Sequence, residues 1–149
     1  MDSVLNAPGS GAGSGTIGGT WTGNATLQPG NIAMLGKDLT NDHPIGIQYG
    51  GGGHTAAAPS GALNDPDFKA ANNTTINTKP VWWVDTEATP NGTREKTDMQ
   101  LYTRTVSGIA GAAQPFVECA SCHDPHSNNT TFLRISNDGS AVCLACHTK

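Results

Sequence analysis

The stretch CASCHDPH at residues 119–126, answered by CLACH at residues 143–147, decides how this chain is to be read. The two segments hold all 4 cysteines of the 149-residue sequence, in two Cys-x-x-Cys pairs. Paired cysteines admit three chemistries. A disulfide within either pair closes a strained small ring, and a redox-active pair belongs in a βαβ setting for which the chain has no pattern. Cys119, Cys122, Cys143 and Cys146, spaced C-x2-C-x20-C-x2-C, could instead satisfy a tetrahedral zinc ion in a ribbon-like structural or interaction module. In that case His123 and His147, each directly after its pair, would have no task.

In the third chemistry every residue has one. Two thiols separated by two residues on a helical turn lie along one edge of a porphyrin and add to its vinyl groups. The next residue turns its imidazole onto the iron, so Cys-x-x-Cys-His is the attachment signature of haem c. Two haem c groups per chain are therefore expected, one on Cys119 and Cys122 with His123 as proximal axial ligand, the other on Cys143 and Cys146 with His147. The distal positions must come from His43, His54, His126 or the methionines Met1, Met34 and Met99. His126 lies too near His123 to close over the far face of the same haem, so it is expected on a neighbouring iron. His43 precedes Pro44, which biases its backbone to an extended conformation and points to a fixed ring. Bis-histidine ligation by His43 and His126, with a low potential, is the expected arrangement. His54, within GGGGHTAAAP, reads as an exposed residue on flexible glycines, spare within the chain and available as an inter-subunit ligand. Six-coordinate iron leaves no open position for a substrate, which argues for electron transfer and against an enzyme.

Composition agrees with a chain that needs such a group. Hydrophobic residues make up 36% and aromatic ones 5%, while 19 Gly and 9 Pro favour loops, so a single hydrophobic core is expected to be weak. A bound cofactor would add free energy that only the folded state collects. The net charge of -4 and scattered basic residues give no nucleic-acid footprint, and no apolar run is long enough for a membrane span. The opening MDSVLNAPGSGAGSG has neither the basic start nor the apolar stretch of a secretory signal.

Along the chain, residues 1–34 are Gly/Ser/Thr-rich and loop-like, although Trp21 is costly to leave in solvent. In residues 80–106, β-type segments at about 81–86 and 98–106 flank Asn91-Gly92, a dipeptide suited to a tight hairpin turn. TFLRIS reads as a further short strand, and Asn137 and Asp138 as caps of a short helix carrying Cys143, Cys146 and His147. The fold class expected is mostly coil with a few short helices and β-hairpins, organised around haems.

The segments LGKDLTNDHPIGIQY, VECASCHDPH and TFLRISNDGSAVCLACHTK, in this order with a hairpin between them, resemble the doubled-CxxCH family of multihaem c-type cytochromes. That family includes secreted cytochromes of metal-reducing bacteria that polymerise into conductive filaments. The resemblance covers residues 35–149 and is most specific over the last forty. It implies distal-ligand roles for His43 and His126, stacked bis-histidine haems, and an extracellular or cell-surface homo-polymer, with a soluble periplasmic carrier as the alternative. It also implies a donated histidine between subunits, for which His54 or His43 would serve. Relatives usually carry two further CxxCH motifs upstream, so residues 1–149 read either as one dihaem domain or as the C-terminal half of a tetrahaem protein.

Overall fold

The computed structural model describes residue 40, residues 42–105 and residues 113–149. The loop expected over residues 1–34, with Trp21 and Met34, lies outside the described residues. The chain divides into two units, Met1–His43 and Pro44–Lys149. Of the first unit only Thr40, Asp42 and His43 are described.

The second unit is built on an antiparallel sheet. Its strands are β1 (Ile47–Gln48), β2 (Asn72–Ile76), β3 (Lys79–Val84), β4 (Met99–Thr105) and β5 (Ala113–Val117), in the spatial order β1-β5-β4-β3-β2. The two strands expected on either side of Asn91-Gly92 correspond to β3 and β4, and they pair with Val84 opposite Met99 and Trp82 opposite Leu101. The tight turn, however, is elsewhere. Asn77 and Thr78, at φ +48° and +66°, join β2 to β3, because a two-residue connection matching the strand twist needs both central residues left-handed. Residues 85–98 form a longer loop, closed by Gly92, whose N–H donates to Asp85 Oδ2 at 2.7 Å.

Side-chain packing contributes more than composition suggested. Cross-strand partners point to the same face of a sheet, so Trp82, Leu101, Val84 and Met99 form one apolar patch. Tyr49, Ala71, Val117 and Ala145 complete a buried core around it. The few apolar residues are concentrated on one face, which a percentage averaged over the chain conceals.

Two short helices lie beside the sheet, α1 (Cys119–Cys122) and α2 (Ala141–Cys146). Ala145 enters the core, while Cys122, Val142 and Cys146 pack against it. The helix expected to carry the second motif is α2; the Asn137 side chain accepts the Val142 N–H at 3.2 Å, and Asp138 lies in a 3₁₀ turn, Asp138–Ser140, leading into the helix. TFLRIS is not a strand. Thr130–Phe132 is a 3₁₀ turn containing Thr131 and Phe132 at φ +55° and +59°, and only Leu133 bridges another segment, at His123.

Met99 is fully buried at the centre of this core. Met99→Ala is expected to lower stability by about 2–5 kcal/mol, read as a reduced urea midpoint with little change in slope.

Candidate functional site

Both Cys-x-x-Cys-His segments have the same local form: one helical turn carries the cysteines, and the histidine follows as a C-cap residue in extended conformation. The His123 N–H donates to Cys119 O at 3.1 Å and the His147 N–H to Cys143 O at 2.9 Å. Spacing i, i+3 sets the two sulfurs of each pair on one side of the turn. Within each pair the environments differ: Cys119 and Cys143 are exposed, Cys122 and Cys146 partly covered by the core. Burial pushes the Cys122 thiol up and the Cys146 thiol up to about 12, the latter helped by its neighbour Cys122. None of the four cysteines is joined in a disulfide.

The histidines that follow are held by their surroundings. Nδ1 of His123 lies 2.7 Å from Thr131 O, an atom that can only accept, so this nitrogen carries the hydrogen and donates it. The left-handed backbone at Thr131 and Phe132 belongs to the turn that carries this carbonyl. His147 forms an isolated bridge with Phe68, whose ring lies 4.3 Å from the imidazole. Hydrogen bonds from Lys69 N to Cys146 O and from Thr148 N to Asp67 O, both 2.8 Å, fasten this bridge on either side.

The rest of CHDPH is a polar clamp that sequence reading passed over. Asp124 is buried, and its Oδ1 accepts the His126 N–H at 2.8 Å, while its Oδ2 lies 3.8 Å from Arg134 Nη1 and 3.9 Å from Lys96 Nζ. The His126 amide, with Lys96 and Arg134, holds the Asp124 carboxyl below the usual carboxylate range. Arg134 Nε and Nη2 donate to Ala120 O at 3.1 and 3.0 Å, and Nη1 donates to Lys96 O at 2.8 Å, so one guanidinium ties the first cysteine turn to the 85–98 loop. Arg134 stands only as an arginine in LRIS; a single sequence offers no sign that its targets are carbonyls.

His126 is exposed in this frame, and Lys96 Nζ donates to its carbonyl at 3.1 Å. His43 is exposed and belongs to the first unit. His54, expected in the open, is 1% exposed. The glycines before it are not a flexible leash: Gly50, Gly51, Gly52 and Gly53 all have positive φ, and a Cβ on Gly53 would lie 1.9 Å from Ala62 O. They permit a tight path that folds the imidazole inwards. There Nε2 accepts the Ala71 N–H at 3.2 Å.

The donor set fits covalent haem. Two cysteines separated by two residues lie on each short turn, and the imidazole after the first pair has its Nδ1 held by a carbonyl. Among the described residues no three ligand atoms from these cysteines and histidines lie within 4.8 Å of one another. The family model described as the doubled CXXCH motif matches residues 114–149. Over that segment the chain is similar to the doubled-CXXCH cytochrome motif, and the likeness supports haem c binding and electron transfer. No curated protein and no solved structure matches the chain.

Burial lowers the pKa of His54 from its ordinary value, an effect partly offset by the Pro59 carbonyl. A lowered folded-state value means that the unfolded chain binds the proton more readily, so this contribution is full above about pH 6.5 and lost as pH falls. His54→Gln keeps an acceptor for the Ala71 N–H but cannot titrate. Urea unfolding of this variant between about pH 7 and pH 4.5 should show a flatter acid decline than the parent; an identical decline would assign the acid sensitivity to other groups.

Proposed function

We propose that the chain is a dihaem c-type electron-transfer protein acting as a subunit of an extracellular cytochrome filament. In this reading Cys119, Cys122, Cys143 and Cys146 form the thioethers, His123 and His147 are proximal ligands, and His43 and His126 are distal ligands. The observation that carries it is the Nδ1 hydrogen bond of His123 to Thr131 O, at 2.7 Å, one residue after a pair of cysteines not joined in a disulfide. Such a bond orients the ring and raises the basicity of the nitrogen left for a metal. When bound, haem c supplies a one-electron redox centre whose potential follows its axial ligands and exposure.

The protein's own contribution is attachment, orientation and cover. The 58% exposed Phe132 follows the carbonyl that orients His123, and the 45% exposed Leu144 lies between Cys143 and Cys146. Large apolar side chains in these positions are suited to contact with a porphyrin plate. Exposure of His126 beside a main chain fixed by Asp124 and Lys96 suits a ring that reaches away from its own motif. The filament part of the proposal rests on the resemblance, read from the sequence of residues 35–149, to a doubled-CxxCH family that includes filament-forming cytochromes.

A pyridine haemochrome spectrum of the purified protein should give the band of thioether-linked haem at two per chain. Absence of that band with about one zinc per chain would identify a metal-ribbon module instead. The holoprotein should be low-spin and, once reduced, unreactive towards carbon monoxide, and His126→Ala should convert one haem to a high-spin form. Rapid carbon monoxide binding by both parent haems would refute bis-histidine ligation; electron micrographs of the native preparation test the filament directly.

A further inference from the structure

Away from the cysteine segments, the loop between β3 and β4 gathers three carboxylates. Ligand oxygens of Asp85, Glu87 and Asp98 lie within 4.8 Å of one another. Asp85 is 4% exposed and Asp98 fully buried. Their hydrogen bonds come from neutral donors: Asn72 and Trp83 at Asp85 Oδ1, Gly92 N at Asp85 Oδ2, and Thr86 N and Glu95 N at Asp98. Among the described residues no lysine, arginine or histidine forms an ion pair with any of the three. Three close carboxylates without a counter-charge repel one another strongly in such a setting.

A second observation comes from Gln100, which is 5% exposed. It stands opposite Trp83 across the β3–β4 ladder, so these two share one face of the sheet, while Asp85 directly follows β3 and Asp98 directly precedes β4. The Gln100 amide nitrogen donates to Glu95 O at 3.0 Å and Asp98 O at 3.2 Å, while its Oε1 is buried with no hydrogen-bond partner. Glu87 Oε2, within the cluster itself, is likewise buried and unpartnered. A cation would satisfy the Glu87 oxygen within the cluster, and the Gln100 side chain is held next to it through its bond to Asp98 O. The donors are all oxygen, with no nitrogen or sulfur, and they mix carboxylate with amide carbonyl on a loop. That set suits a hard divalent ion that tolerates irregular coordination, calcium rather than magnesium.

The geometry points to a calcium site formed by Asp85, Glu87 and Asp98, with Gln100 Oε1 as a further oxygen donor. The site lies in the same loop as Lys96, whose Nζ meets Asp124 and the His126 carbonyl and whose own carbonyl takes the Arg134 bond. Cation binding therefore braces the 85–98 loop against the first cysteine turn.

The test uses the purified protein freed of metal with a chelator, titrated with calcium chloride by calorimetry and followed by thermal unfolding. One calcium per chain is expected, with a rise in Tm that saturates within the ~10⁻⁴–10⁻³ M range typical of extracellular modules, or below it. Glu87→Gln, an isosteric change at an oxygen with no partner, should weaken binding about tenfold or more, while Asp138→Asn, outside the cluster, should not. Neither heat nor a Tm shift up to about 10 mM calcium would overturn the site. Equal binding by parent and Glu87→Gln would overturn the assignment to this cluster.

Discussion

The helical turns that carry the cysteines are four and six residues long, far below the ~12–15 residues at which an isolated helix becomes even marginally stable. Their form depends on burial of their inner sides. Ala145 enters the sheet core, and Cys122, Cys146 and Val142 pack against it, with Trp82, Met99 and Leu101 as the opposing surface. That one-sided burial leaves Cys119 and Cys143 outside. The sheet is thus the back wall against which both reactive turns are shaped.

On the solvent side, main-chain hydrogen bonds replace apolar contact. Thr131 O holds His123, Cys122 O takes the Arg134 N–H at 2.8 Å, and Asp124 and Arg134 knit the turn to the 85–98 loop. The second motif is held differently, by the Phe68 ring tilted against His147 and by the chain of Asp67–Lys69 running beside Cys146–Thr148. The Tyr49 hydroxyl, fully buried, donates to Lys69 O at 2.8 Å and so ties this bridge to the core. Two copies of one short motif are therefore supported by unrelated surroundings. This asymmetry is a physical route to unequal environments for the two groups the motifs would carry, since hydrogen bonds to the ligands and solvent exposure set the properties of a bound metal.

Much of the chemistry was legible in the chain because covalent spacing alone imposes it. Cys-x-x-Cys-His places two sulfurs and an imidazole on one turn whatever follows, and the strands around residues 81–86 and 98–106 announce themselves by β-branched and aromatic side chains. What misled were short-range signals with long-range alternatives. Asn91-Gly92 is a good turn dipeptide, yet Asp85 captured the Gly92 amide for a loop, and the tight turn formed at Asn77-Thr78 despite a β-branched residue. TFLRIS has strand composition, but Thr131 and Phe132 turn left-handed where the carbonyl of Thr131 meets His123. The glycines before His54 looked like slack because glycine's permissiveness is visible in sequence while the Ala62 carbonyl that demands it is not.

By itself the sequence determined the reactive groups: which sulfurs and which imidazoles are paired, and how closely. Tertiary structure decided their circumstances. Burial of His54, the Asp124–Arg134–Lys96 clamp, and the meeting of Asp85, Glu87 and Asp98 with Gln100 all join residues across turns or strands. Such contacts depend on register and on which side chain reaches which carbonyl. Neither quantity is local, so no window of the sequence contains it.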